Sequence, residues 1–344
     1  MLDQKDEPQP PPPFVHVVAA NVGVDTPLLA YTASDGVTIV EGSIEIAFDR
    51  FLNPATVNRQ GVGLRDLFGN APDSPIVQYD PITRVAVLSN PNPGQTWLTV
   101  GQPYEIVFPV ATTEAGSLGL LAIDGASMDP VAPLAFASTQ TLGFNVAAAP
   151  GSPPPLPPTI DFCSDVMPIF RAPTATLIEG ACGTASCHGI PNNTLTTAQG
   201  LVLDTEDGIR HTAIGVLAEE TATSALTSPL APQIAFPTGM PIIDPGNPGN
   251  SYLMYKLLKY DDGVPDASGA TVVYNACNLT TPPFDYGPSG FASTAEATRL
   301  SDLIPGRRMP WGHTPLTIDE MERIRLWIAE GAEVDDCTTC PVQP

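Results

Sequence analysis

Positive charge is scarce in this sequence. The 344 residues include 14 Lys and Arg against 37 Asp and Glu, which gives a formal net charge of -23 at pH 7. A surface this acidic repels the phosphates of nucleic acids and the headgroups of anionic membranes, so neither is an expected partner. A protein partner is instead expected to present a basic face.

Long apolar runs are also missing. No stretch reaches the roughly 20 apolar residues that a transmembrane helix needs, and the polar start lacks the apolar region of a signal peptide. We interpret residues 1–13 as a disordered, proline-rich tether that follows a removed export signal or lipid anchor. Six cysteines without a recognised thiol-enzyme motif favour an oxidising compartment, the periplasm or the cell surface and extracellular space.

One cysteine pair carries a chemical signal. Cys182 and Cys187 are followed directly by His188, an order in which two thiols can add to a haem while the next imidazole binds its iron. Four small residues separate the cysteines instead of the usual two, which requires the loop to bulge. Two alternatives stay open: a disulfide between these cysteines, or a zinc site that also uses Cys337 and Cys340.

The first part of the chain has the pattern of an all-β domain. Residues 43–49 alternate apolar and polar side chains, the period of a half-buried strand. The turn at 80–83 separates two β-rich runs and predicts a hairpin. Short strands between Pro, Gly, Asn and Asp turns predict a β-sandwich over residues 14–147.

A proline-rich stretch at 148–159 predicts a semi-rigid linker and a domain boundary. The signals in residues 160–344 are helical. Thr317 and Glu320 form a capping box ahead of an apolar stripe, and Gly331 stands where a helix end is expected. Earlier helices are predicted to start near Asp161, at Thr205, at Asn250 or Ser251, and near Ser293.

The first domain resembles the bacterial Ig-like domains of S-layer and other surface proteins. The resemblance lies in the order of three motifs. They are Ile46–Asp49 leading to Asn53–Val57, the Tyr79–Asp80 hairpin, and Leu98–Ile106. It implies a spacer or adhesive scaffold, so that His16 is an ordinary strand residue and not a ligand.

The second domain resembles class I cytochrome c domains of secreted planctomycete and myxobacterial proteins. The recurring motifs are Val166–Phe170, Cys187–Gly189, Gly200–Asp204, Ile243–Leu253, Arg308–Pro310, Leu316–Thr317 and Ile324–Ala332. The expected fold class is therefore multidomain: an N-terminal all-β Ig-like sandwich followed by a mostly α cytochrome c-like domain. In that domain the first and last helices cross beside the haem.

The resemblance assigns roles to individual residues. Cys182 and Cys187 become the thioether cysteines of one covalent haem c, and His188 becomes the proximal iron ligand. A soft thioether or a second imidazole is expected as the sixth ligand. The thioether candidates are Met309 and Met240, and the imidazole candidates are His211 and His313. Met309 ranks first, Met240 second and His313 third. Arg307 and Arg308 are either partners of the haem propionates or solvated surface residues.

Four further cysteines remain: Cys163, Cys277, Cys337 and Cys340. Their even number indicates two disulfides, whose pairing the sequence does not fix. Because the resemblance brings the first and last helices together, it implies at least one bridge from Cys163 to the pair that follows the last helix.

The sequence thus predicts an exported monohaem electron carrier with a redox protein as partner and the Ig-like domain as spacer or docking module. It contains no Ser-His-Asp pattern, phosphate-binding loop or metalloprotease helix, which favours a carrier over an enzyme. One alternative is a haemless, disulfide-stapled surface-binding or structural protein. The other is a haem enzyme such as a peroxidase, if the sixth position is open.

Overall fold

The structure is a computed structural model. It describes residues 14–33, 35–36, 38–68, 70, 72–109, 119–129, 141–153, 159–171, 188–189, 200–218, 239–259, 296, 299–300, 303–304, 309–310 and 316–337. The predicted tether and part of the predicted linker lie outside these residues.

Among the described residues of the first half, nine strands form two sheets. In chain order they are β1 (Val17–Ala20), β2 (Leu28–Thr32), β3 (Ile39–Glu41), β4 (Ile44–Phe48), β5 (Gly63–Asp66), β6 (Ile76–Asp80), β7 (Val85–Ser89), β8 (Pro103–Val107) and β9 (Thr141–Ala148). One sheet has the order β1-β4-β7-β6 and the other β3-β2-β9-β8-β5. All neighbours are antiparallel except β2 and β9, which are parallel.

The core lies between the two sheets, as the alternating pattern predicts. Ile44, Ile46 and Phe48 of β4 are fully buried, whereas Glu45 between them is exposed. The predicted hairpin is present, since β6 and β7 pair in register from Ile76 and Ser89 inwards. The β-sandwich prediction for this half is therefore consistent with the two packed sheets.

The second half contains short helices. A π-helical turn (Phe162–Val166) leads into α1 (Met167–Phe170), and α2 (Glu206–Thr212), α3 (Tyr252–Leu258) and α4 (Ile318–Ala329) follow. Asp161, Thr205 and Ser251 are the cap positions of the π-helical turn, α2 and α3, so that Ser251 and not Asn250 caps the third predicted helix. The predicted start near Ser293 lies outside the described residues.

The prediction of a mostly α cytochrome c-like domain is wrong. Among the described residues of this half only α4 is longer than seven residues, and loops and isolated bridges such as Ile214 with Ile243 connect the helices. With nine strands in the first half, the described chain is mostly β. Pro241, Pro245 and Pro248 supply one physical reason, because each lacks the N–H donor that a helix interior requires.

The last helix matches its prediction. Both hydrogen bonds of the capping box between Thr317 and Glu320 are present, and Gly331 ends the helix with a positive φ of 111°. Trp327 of α4 packs with its ring centroid 5.3 Å from that of Phe162. Its indole N–H donates to Glu333 O at 2.7 Å. The first and last helical segments of this half are thus in contact.

The sandwich and the second half share a buried apolar cluster. Phe51 and Ile123 from the first half pack there with Met240, Tyr252 and Tyr255 from the second. The domain boundary along the proline-rich linker stays a prediction, but the two halves are in intimate contact.

A disulfide joins Cys163 to Cys337. This is the bridge expected between the start of the helical region and the residues after α4. Cys182, Cys187, Cys277 and Cys340 lie outside the described residues. The bond closes a loop with a sequence separation of 174 residues, and long closed loops restrict the unfolded chain most.

We predict that replacing both Cys163 and Cys337 by Ser lowers the free energy of unfolding by up to about 5 kcal/mol, because the unfolded chain regains its loop entropy. Urea unfolding of the wild type and the double variant measures this difference. The two proteins should become equally stable once a reductant is added. A difference below about 1 kcal/mol without reductant would contradict a stabilising bridge.

Candidate functional site

An apolar cavity of about 320 Å³ opens in the second half of the chain. Ligand-binding pockets typically measure about 300–1,000 Å³ and are mainly apolar. The predicted proximal ligand His188 and the first-ranked sixth ligand Met309 lie on its wall. The other lining residues among those that the structure describes are Gly200, Leu201, Leu203, His211, Thr212, Val216, Leu217, Ala218, Ile242, Tyr252, Leu253 and Lys256.

His188 is buried, and residues 201–204 hold its backbone in place. Its carbonyl accepts a hydrogen bond from Leu203 N at 2.6 Å. The same segment is tied to α2, because Val202 N donates to Thr212 Oγ1 at 2.9 Å. Arg171, directly after α1, donates to Asp204 O at 3.1 Å. The segment that contacts the His188 backbone is therefore hydrogen-bonded both to α2 and to the residue that follows α1.

Met309 reaches the cavity from a distant part of the sequence. Its backbone N–H donates to Lys256 O of α3 at 3.1 Å, and its side chain is half-buried against the main cluster of the second half. This hydrogen bond to α3 therefore fixes the position of the Met309 backbone beside the cavity.

The floor of the cavity is a short β-like pairing. Ala218 N donates to Met240 O at 2.9 Å, and Ile242 N donates to Val216 O at 2.7 Å. Leu253 N at the start of α3 then donates to Ile242 O at 3.0 Å. These bonds satisfy backbone groups beside an apolar space, where an unpaired group would be costly.

Two basic side chains lie at the apolar wall. Lys256 is buried, and its ammonium lies 5.9 Å from the centre of the Tyr252 ring, within reach of a cation–π contact. His211 of α2 is exposed, with Nδ1 2.8 Å from Asp207 O. The site is therefore mainly apolar, with one buried cationic side chain, Lys256, in its wall.

The other predicted site residues divide into two groups. Met240 is buried in the cluster that the two halves share, and its side chain does not line the cavity. The remaining candidates lie outside the described residues: Cys182, Cys187, Arg307, Arg308 and His313. Of the residues predicted to bind iron, the structure thus places His188, Met309 and the imidazole candidate His211 on the wall of one cavity.

Sequence reasoning missed Tyr252 and Lys256. A signal was available, because Lys256 is the single charge in the otherwise apolar run of α3. A lysine at such a position is either partly buried or at the edge of a buried surface. Among the residues that the structure describes, no group of three or more His, Cys, Asp or Glu side chains could hold a metal ion. Within that same set, no helix has the length and apolarity to cross a membrane.

The likeness of this chain to known proteins is weak. No family model matches this sequence, and no curated protein matches it. The chain is similar to a crystal structure of the S-layer protein rSbsC(31-844), with 16% identity, a TM-score of 0.24, and coverage of 46% of this chain and 16% of that one. It is also similar to the N-terminal part of the bacterial S-layer protein SbsC, with 15% identity, a TM-score of 0.24, and coverage of 46% and 28%. The chain spans less than a third of either structure, and superpositions this poor carry no argument.

The contact that holds α2 against the His188 segment depends on Gly208. A Cβ at this position would lie 2.3 Å from Val202 Cγ1 and 2.8 Å from Thr205 Oγ1. We predict that Gly208→Ala destabilises the protein by about 1–3 kcal/mol through overpacking, although Ala is favoured over Gly in helices by about 1 kcal/mol.

Urea unfolding measures the effect of Gly208→Ala. Gly143→Ala is the control, because a Cβ there meets nothing within 4 Å. The control should be neutral or slightly stabilising. Equal stability of the two variants would show that α2 is not packed tightly against this segment.

Proposed function

We propose that this chain is an exported c-type cytochrome that carries one covalent haem in the cavity lined by His188 and Met309. The observation that carries the proposal is that an imidazole and a thioether, distant in sequence, line one apolar cavity. The proposal concerns cofactor and function, and it does not depend on a mostly α fold.

The residues present fit such a group. Imidazole and thioether are the side chains that hold haem iron in c-type electron carriers. Cys187 is joined to His188 by one peptide bond, so a covalent attachment through Cys182 and Cys187 would begin at the cavity wall. When bound, the haem iron takes up and releases one electron. The protein's share is to exclude water, fix the ligands and set the potential through burial.

Each group of lining residues has a distinct task. Leu201, Leu203 and Leu253 keep water from the apolar face of the cofactor. Lys256, which is buried in the wall, would contribute a positive charge to the binding of the group's carboxylates. The exposed side chains of Val216 and Leu217 give the cavity an apolar rim. Such a rim is suited to contact with a redox protein, and the net charge of -23 favours a partner with a basic face.

An exported location accords with this function. Covalent haem and disulfides are both formed in oxidising compartments, and Cys163 is bonded to Cys337. We therefore place the protein in the periplasm or at the cell surface.

Covalent haem is the first expected result. Protein produced in a host that attaches c-type haem should be red, and denaturing mass spectrometry should give the polypeptide plus one haem. The Cys187→Ala variant should no longer carry the covalent haem mass, because the thiol directly before His188 is removed. A colourless wild type whose mass is explained by disulfides alone would favour the haemless structural protein instead.

The second prediction concerns the sixth ligand. Met309→Ala should keep covalent haem but lose the thioether charge-transfer band of the ferric form. Its potential should fall by on the order of 0.1 V or more, within the roughly 0.8 V that axial ligands span. A thioether favours ferrous iron, so its removal favours ferric iron.

Met240→Ala is the matched control for Met309→Ala. Met240 is a buried methionine outside the cavity wall, so its removal should cost about 2–5 kcal/mol of stability and leave band and potential intact. The reverse pattern would exchange the two assignments. An intact band in both variants would exclude both methionines as ligands.

A further inference from the structure

Helix α3 connects the cavity to the β-sandwich. Leu253 and Lys256 line the cavity. Tyr255, on another side of the helix, is fully buried in the cluster that contains Phe51 of the sandwich half. Its hydroxyl donates to Gly249 O at 2.6 Å. Because Lys256 O also accepts from Met309 N, the helix contacts both the sandwich and the predicted ligand.

A second connection approaches Met309 along the chain. Glu296 accepts hydrogen bonds from Arg50 Nε at 2.7 Å and from Phe51 N at 2.8 Å, and both charged side chains are about 95% buried. Further on, Ile304 packs in the shared cluster. Lys259, the residue after α3, donates to Ile304 O at 2.6 Å. Glu296 and Ile304, which precede Met309 in the sequence, therefore both contact residues of the sandwich half.

The contact at the start of α3 leaves no free space. A Cβ on Gly249 would lie 2.7 Å from Tyr79 O and 2.8 Å from Tyr79 Cβ. Tyr79 is itself fixed, because its hydroxyl accepts from Leu52 N at 3.0 Å. Burial raises the pKa of both Tyr79 and Tyr255 well above the ordinary value. Both hydroxyls therefore stay protonated at neutral pH.

We infer that the β-sandwich is a positioning element of the cavity and that Tyr255, through α3, is the positioning residue that fixes Met309. The spectroscopic part of this inference rests on the proposed haem function, whereas the mechanical part does not. The sandwich then does more than hold the cavity away from a surface, because it determines where the sixth-ligand candidate stands.

The test uses the full chain with Gly249→Ala, which inserts a methyl group between Tyr79 and the turn before α3. We expect covalent haem to remain, the thioether band to weaken at neutral pH, and the amides of Tyr252–Leu258 to exchange hydrogen about tenfold faster. Amides of β4 should exchange as in the wild type. Gly143→Ala is the control and should change none of these, because its methyl group meets nothing within 4 Å.

Tyr255→Phe keeps the test decisive if Gly249→Ala does not fold. It removes one hydroxyl and keeps the ring, so it should change the band and the α3 exchange in the same direction, by a few fold. Tyr104→Phe is its control. Tyr104 is likewise buried, and its hydroxyl makes one hydrogen bond to the backbone within the sandwich, accepting from Thr99 N at 2.9 Å.

The outcomes separate the two proposals. A lower global stability with unchanged band and unchanged α3 exchange relative to β4 overturns the positioning role. If the wild type carries no haem, the proposed function fails, yet faster α3 exchange in both variants would still support the coupling and unchanged exchange would overturn it.

Discussion

The burial of α3 on more than one side is the constraint on which the rest of the structure depends. A helix of seven residues is too short to be stable by itself in water. Its stability comes from Tyr255 packed towards the sandwich and from Leu253 in the second half. The cavity wall and the sandwich are therefore two surfaces of one packing arrangement, and neither is complete without this helix.

A network of buried charged side chains lies between the two halves of the chain. Arg50 contacts both Glu296 and Asp124, and Arg299 contacts the same two carboxylates. Removing such charges from water costs several kcal/mol per ion, which close pairing and hydrogen bonds offset only when the geometry is good. Phe51 N supplies a further hydrogen bond to Glu296. We therefore expect the network to contribute more to selecting one docking arrangement than to net stability.

Features set by local chemistry could be predicted from the sequence. The alternation of β4 and the capping box of α4 each depend on residues within a few positions of one another. The extent of helix in the second half was overestimated. Pro241, Pro245 and Pro248 are visible in the sequence and argue against long helices there, whereas the tertiary packing that sets the length of the remaining helices is not. His188 and Met309 were named by resemblance, but their meeting at one cavity depends on backbone contacts through Leu203 and α3. The close approaches at Gly208 and Gly249 leave no trace in a single sequence.

The central proposal is that His188 and Met309 hold one haem iron. Diffraction data collected on both sides of the iron absorption edge, from crystals of protein produced in a host that attaches c-type haem, test it directly. The account predicts one anomalous peak in the cavity, within bonding distance of the His188 imidazole and the Met309 sulfur. No peak, or a peak remote from His188, would contradict the account.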